Sequence, residues 1–460
     1  MGRRSGPILA LLVLLAAGQF ACRIPSLPSP SPAEPTETRP PVVGKYDMRF
    51  GISHGLYPDI RRGEEAIYAM TRELDELGMI WLRHPGNGIA WHEIQPTRDT
   101  WDFRKLDAVF NNNEHPWIIP TYGMVGTPYP FNADFSREYM ESLGGREEIL
   151  QHIIANTLDM TNPQQRAEAE VFVKTLVDRY KDRISFWEIG GNEGLPTEGR
   201  FDIVTNTYTW IKETQPDARV LVTAICGDDD GSFYRNLEAF DSLLARGMGD
   251  YFDIANFHYY GRIEGDFEER LEQRFDEYRA ILDKYGLRKP IWVTETSTSS
   301  YEQSVLSGPG SEQIQARHVV MRLVIFAAQG AQKVFWYDYG ELSIDDKFYG
   351  CNLFDSAQGP KPAYHTYRLA VDKLGYYRTV ETLRSGDVRL YRFTTHPNEP
   401  IFVAWSSSPQ TIDLSEYLQA GDVLVTHIVE DSRAQPQTEI AETTHVPISP
   451  SPVFVECAGT

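Results

Sequence analysis

Cysteine is scarce: the 460 residues hold 4. Setting Cys22 aside, the remaining Cys226, Cys351 and Cys457 are odd in number and far apart, which excludes a disulfide framework and a cysteine metal motif and leaves buried thiols as the reading, with one bridged pair as the alternative. Positive charge is also short, with 44 Lys and Arg against 65 Asp and Glu and a formal net charge of -21. Nucleic-acid binding depends on clustered cations that release counterions, so this balance argues against nucleic acid and against anionic lipid surfaces. It fits an extracellular protein that its own charge keeps soluble. No glycine-rich phosphate loop follows the first strand-like segment, which disfavours a dinucleotide fold. The acidic run Asp228–Asp230 has no supporting ligands and reads as an exposed loop, and no metal or other cofactor is expected. No internal repeat shorter than a strand–helix unit is visible.

Long apolar runs are missing except near the start, where Arg3 and Arg4 precede an apolar stretch from Pro7 to Ala21. That stretch is too short for a membrane span and reads as a secretory signal over residues 1–21. A Pro- and Ser-rich tether, 22–43, follows and cannot bury a core. Cys22 at the junction resembles the lipidated first residue of a bacterial lipoprotein. Secretion, either simple or with a lipid anchor on Cys22, is therefore the expected localisation.

What is present is material for a large core: 41% hydrophobic and 12% aromatic residues. The length fits an α/β barrel of roughly 250 residues or more plus one small companion domain. Strand-like segments begin at Met48, Met79, Trp117, Arg183, Arg219, Tyr251, Pro290 and Lys333. Helical sequence separates them, as in Gln164–Tyr180, Phe267–Tyr285 and Glu312–Gln329. Eight such alternations predict a closed (β/α)8 barrel over 44–375. From Gly123 to about Pro163 the pattern breaks into a long excursion, the kind of segment that often carries function. After the helix Pro362–Leu374, short strands around Val388–Phe393, Pro400–Trp405, Val423–His427 and Pro452–Glu456 predict an antiparallel β-sandwich over 376–460.

In a barrel of this kind, strand ends at one face carry the chemistry. Those ends offer Arg83, Tyr122, Asn192 with Glu193, His258, Glu295 and Trp336. Two carboxylates on opposed strands suit work on a glycosidic bond, one giving a proton and the other attacking as an anion. Glu188 is the rival to Glu193 on the same strand, but further strand sequence follows it, so it is expected to point into the barrel and pair with a cation.

These features resemble the retaining (β/α)8 glycoside hydrolases in which Asn-Glu ends the fourth strand and a second Glu ends the seventh. Trp91 through Gln95-Pro96 to Trp101-Asp102-Phe103 and Leu106-Asp107, the run His258-Tyr259-Tyr260, and Lys361-Pro362-Ala363-Tyr364 add to the likeness. Among the clan, the β-xylosidase/α-L-iduronidase family and bacterial exopolysaccharide-degrading enzymes look most similar. The resemblance implies that Glu193 is the acid/base and Glu295 the nucleophile. It further implies that Asn192 binds a sugar 2-hydroxyl, Arg83 and Tyr260 keep the nucleophile ionised, and Trp336 floors the subsite of the reacting sugar. His258, His54 and Tyr122 join the pocket as candidate lining. The implied partner is an oligo- or polysaccharide. The chain departs from the pattern by an extra residue around Gly190-Gly191 and by Gly194 where proline often follows. A non-catalytic carbohydrate-binding protein and a transglycosylase are the alternatives.

Overall fold

The computed structural model describes residues 44–53, 72–84, 89–111, 114–122, 127–144, 146–190, 197–302, 309–340, 350–355, 358–395, 400–418, 421–430 and 436–458. Within it, nine parallel strands form one sheet: β1 (Phe50–Ser53), β2 (Trp81–Arg83), β3 (Trp117–Pro120), β4 (Phe186–Glu188), β5 (Arg219–Leu221), β6 (Ile225–Gly227), β7 (Ala255–Tyr259), β8 (Ile291–Thr296) and β9 (Lys333–Tyr337). The order β5-β4-β3-β2-β1-β9-β8-β7-β6 begins and ends on β5 and β6. These two are halves of one interrupted strand. Leu221 bridges Ile254, and Ile254 N–H donates to Val220 O at 3.1 Å, so the sheet closes on itself as an eight-stranded barrel.

Strand alternation fills the barrel in layers. At the N-terminal end of the strands lie Trp81, Phe186 and Trp292, whose ring centroids are 4.7 to 5.4 Å apart, with Phe335 beside Trp292. Glycine at position 51 is required here, because a Cβ would come within 2.5 Å of the Phe335 ring. Lys333 covers this aromatic floor, donating to the Met48 and Tyr46 carbonyls at 2.5 and 2.8 Å. The next layer is polar, which separates a scaffold end from a chemical end along the same strands.

Helices wrap the barrel where sequence supplies both a start signal and an apolar face. Asn162 caps Pro163–Tyr180 by accepting from Gln164 N at 3.0 Å, and Ser311 caps Glu312–Ala328 by accepting from Ile314 N at 3.2 Å. The latter helix is buried along almost its whole length, Gln315 to Ala327. Among the described residues no helix is long and apolar enough to cross a membrane. In the excursion, the described parts include the helices Arg137–Ser142 and Arg146–Ala155.

The C-terminal unit is an antiparallel sheet of six strands with a two-stranded sheet beside it. Alternation divides its residues. Tyr391, Phe393, Ile401, Val403 and Phe454 join the barrel core, while Leu390, Phe402, Ala404, Val453 and Val455 build the sandwich interior. Arg389 pins this unit to the barrel helix Phe267–Lys284 through Glu268, Glu269 and Glu272, at 2.8, 2.8 and 2.5 Å. Of the cysteines read as buried thiols, Cys351 is buried and Cys226 half-buried, but Cys457 is half-buried and disulfide-bonded.

Candidate active site

The polar layer begins with Arg83, the last residue of β2. Strand parity aims it inward above Trp81, and it lies fully buried between two carboxylates. Its Nε and Nη2 donate to Glu188 at 2.6 and 3.0 Å, and its Nη1 donates to Glu295 Oε1 at 2.5 Å. Burial pulls this guanidinium down, but the two carboxylates outweigh that and hold it above its ordinary range. It is charged at any working pH. Glu188 also accepts from Asn256 Nδ2 at 3.1 Å. It is a buried, paired group of the barrel interior.

Glu295 reaches the same cluster through an irregularity. On β8, Phe257 of β7 faces Val293, yet His258 faces Glu295, and the pairing with β9 jumps from Val293–Val334 to Thr296–Trp336. One extra residue, Thr294, is therefore inserted relative to both neighbours. Regular alternation would put Thr294 inside and Glu295 outside; the bulge brings both inside. Thr294 Oγ1 meets Asn256 Nδ2 at 3.1 Å and His258 Nε2 at 3.0 Å. Glu295 accepts from Tyr260 Oη at 2.5 Å and from Ser53 Oγ at 3.4 Å. His258 Nδ1 lies 3.2 Å from Glu295 Oε2, at ion-pair distance but out of line for a hydrogen bond. Burial, followed by the adjacent Glu295 charge, pushes the Tyr260 phenol well above its usual range, so it remains a donor. Among the described residues, Arg83 carries one positive charge for two carboxylates, so this group of three is one negative charge in excess when both acids are ionised.

The structure thus brings Arg83, His258, Tyr260 and Glu295 together. His54, Asn192 and Glu193 lie outside the described residues. β4 ends at Glu188, shorter than the continuous strand expected through Glu193, and Gly190 has φ +70°. That left-handed conformation suits glycine and breaks the extended run.

Two candidates sit elsewhere. Trp336 is fully buried and donates its indole N–H to Cys351 O at 3.0 Å, so it offers no face to a ligand. Its neighbour Tyr337 has the opposite parity and stands edge-on to Tyr260 with centroids 5.7 Å apart. Tyr122 is likewise buried, hydrogen-bonded to Thr207 at 2.8 Å and packed against Trp91 and Phe172 on the helix side.

Sequence reading missed Ser53, Asn256, Thr294 and Tyr337. Asn256 was open to discovery, since it shares the parity of His258 on one strand.

The acidic run is only in part the exposed loop expected, with Asp230 exposed. Asp228 and Asp229 are half-buried and tether the segment after β7. Asp229 accepts from Tyr259 Oη at 2.5 Å and Arg262 N at 2.9 Å, and Asp228 Oδ1 accepts from Gly261 N at 2.8 Å. Burial lifts the Asp228 carboxyl to about 6, with Asp229 adding to the rise and the Gly261 N–H opposing it. A carboxyl raised on folding costs stability as pH climbs from its unfolded value through about 6. Asp228→Asn is therefore expected to exceed the wild type by about 3 kcal/mol at pH 8. The gap should close below pH 4, the usual unfolded range; urea denaturation at both pH values measures it.

Neither a protein-family model nor a curated protein matches the chain. Solved structures do. A family 39 glycoside hydrolase from the gut symbiont Bacteroides cellulosilyticus superposes with a TM-score of 0.60 at 16% identity, over 91% of this chain and 83% of that one. A bifunctional glucanase-xylanase from a metagenome library gives 0.56 at 12% identity, over 90% and 99%. A family 51 arabinofuranosidase from Xanthomonas axonopodis pv. citri gives 0.53 at 13% identity, over 90% and 96%. The chain shares their fold, a (β/α)8 barrel with a β-sandwich.

Proposed function

We propose that the protein is a retaining O-glycoside hydrolase acting on an oligo- or polysaccharide. The observation that carries this reading is the Glu295 carboxylate at the barrel mouth, held by Arg83 and the Tyr260 hydroxyl within a group of excess negative charge. A cation and a hydroxyl donor both favour the charged form of a carboxylate, the form that attacks, and the excess charge suits an oxocarbenium-like transition state. In the first step an oxygen of Glu295 bonds to the anomeric carbon while Glu193 gives its proton to the departing sugar oxygen. In the second, Glu193 takes a proton from water, which attacks the same carbon and releases Glu295. Two inversions at one centre give retention.

The names of the structural neighbours point to glucans, xylans and arabinofuranosides as first probes, and the acidic balance favours neutral over strongly anionic polymers. Aryl glycosides of those sugars and the intact polysaccharides, followed by chain-length analysis, test the reading. Expected is hydrolysis of at least one with retained anomeric configuration. Binding without turnover across the panel would instead support a carbohydrate-binding protein, and transfer to an added sugar acceptor would support a transglycosylase. Azide should restore turnover of an activated aryl glycoside to Glu193→Ala and yield the retained glycosyl azide. Secretion completes the proposal, with a lipid anchor on Cys22 as one form of it. Mass spectrometry of the mature N-terminal peptide would tell a lipidated Cys22 from an unmodified or disulfide-bonded one.

A further inference from the structure

The peptide group that joins Tyr260 to Gly261 is gripped at both polar ends. Arg322, on the helix Glu312–Ala328, donates through Nη2 to the Tyr260 carbonyl. Asp228, just beyond β6, accepts the Gly261 N–H at 2.8 Å. Gly261 has φ +66°, and a Cβ there would lie 2.8 Å from the Tyr259 ring, so the turn is built for glycine. Opposite charges therefore set the orientation of a single peptide plane.

We propose that Arg322 and Asp228 form a charged clamp on the Tyr260–Gly261 peptide that places the Tyr260 hydroxyl on Glu295. Both are positioning residues, acting through Tyr260. Arg322 is fully buried, and among the described residues no carboxylate lies within ion-pair distance of it. Burial pulls its guanidinium down to about 10, still charged at neutral pH. An isolated buried cation is costly, and the acceptors it meets explain its presence. Its Nη1 donates to Thr296 Oγ1 at 2.8 Å and its Nε to Thr298 Oγ1 at 3.0 Å. Thr296 directly follows Glu295, and its hydroxyl donates to Tyr259 O at 2.9 Å. One planar fork thus ties the residue after the carboxylate to the residue that hydrogen-bonds it, a geometry a lysine cannot reproduce.

The catalytic consequence rests on Glu295 being the nucleophile; the positioning itself does not, so the deciding readout is independent of turnover. It is the titration of the Glu295 carboxyl by carbon-13 NMR in the whole protein, assigned by its disappearance in Glu295→Gln. Among the described residues, the groups facing Glu295 are Ser53 from β1, Arg83 from β2 with Glu188 of β4 behind it, His258 from β7, and Tyr260 with the Tyr337 ring beyond it. Tyr260→Phe removes a hydrogen bond to the charged form and sets the scale, an upward shift of about one unit or more.

The clamp predicts that Asp228→Ala also raises the midpoint and adds nothing in combination with Tyr260→Phe. Direct electrostatics predicts no shift where Asp228 is protonated and the opposite sign where it is ionised, because deleting a negative charge lowers a neighbouring carboxyl. A lowered or unmoved midpoint in Asp228→Ala, or full additivity with Tyr260→Phe, overturns the proposal. Arg322→Lys keeps the charge while losing the fork, and is expected to raise the midpoint as well; a wild-type midpoint there would also count against the clamp. On the aryl glycoside that the wild type cleaves best, Asp228→Ala should lower kcat about tenfold with KM unchanged, an expected loss of interactions made in the transition state. The acidic limb of its pH profile should move up with the NMR midpoint. Turnover surviving in Glu295→Ala would sink the nucleophile assignment and leave the NMR result to judge the clamp alone.

Discussion

Glu295→Ala is expected to lose turnover by on the order of 10⁴-fold or more, the scale on which an enzyme fails when its covalent nucleophile is removed. The loss should appear in kcat, since the carboxylate is asked to form a bond that exists only after the ground state. Folding should survive. With Glu295 gone, Arg83 keeps both of its hydrogen bonds to Glu188, and the excess negative charge is relieved. The thermal midpoint of Glu295→Gln is accordingly expected to equal or exceed that of the wild type, the pattern of a site that gives up stability for activity. Azide should restore turnover of an activated aryl glycoside to Glu295→Ala with inverted product, because a small anion then attacks once from the vacated face. Near-normal hydrolysis by a well-folded Glu295→Ala protein would remove the nucleophile from this residue.

The second large effect is on stability. Arg83→Met leaves Glu188 and Glu295 buried without the cation they share, and breaking a buried pair in this way costs about 3–5 kcal/mol. The loss should depend on pH in a direction opposite to ordinary acid denaturation. Two buried carboxylates without a cation have folded pKa values raised above the unfolded ones, so their contribution worsens as pH rises. The variant should be closer to wild type at pH 5 than at pH 8, as urea midpoints at the two values would show. Arg83→Lys should recover only part of the loss, since a compact ammonium lacks the planar fork whose separate nitrogens reach both acids at once. Equal destabilisation at both pH values would mean that packing, and not charge, dominates at this position.

Much of this architecture is legible in the sequence because apolar runs alternate with helical segments at a steady spacing. The helix Pro362–Leu374 and the strand Val423–His427 have the expected bounds. Among the strands that escaped notice, Thr379–Arg384 and Gln437–Ala441 are largely polar and lie at the edges of their sheet, with no buried face to leave a pattern, whereas His445–Ile448 is short and buries only Val446 and Ile448. The resemblance points to Trp336, and the residues of β9 could not correct it, because a strand buried on both faces does not reveal which parity faces the barrel. The division of the fifth strand into β5 and β6 leaves no mark in residue types. Ser53, Arg322 and Asp228 act through contacts between residues distant in sequence, and single-chain periodicity carries no information about those.

The inserted residue in β8 has a thermodynamic side. Because Thr294 is accommodated at the rim, the strand beneath it keeps regular pairing from Ile291 to Val293 with β7. Trp292 consequently stays in the aromatic floor whichever way the next residues turn. Folding energy is drawn from layers that do not sense the register above them, whereas the aim of Glu295 is decided only in the last few ladder hydrogen bonds. The barrel can in this way preserve its core while its mouth changes chemistry, and the two properties become separately mutable along a single strand.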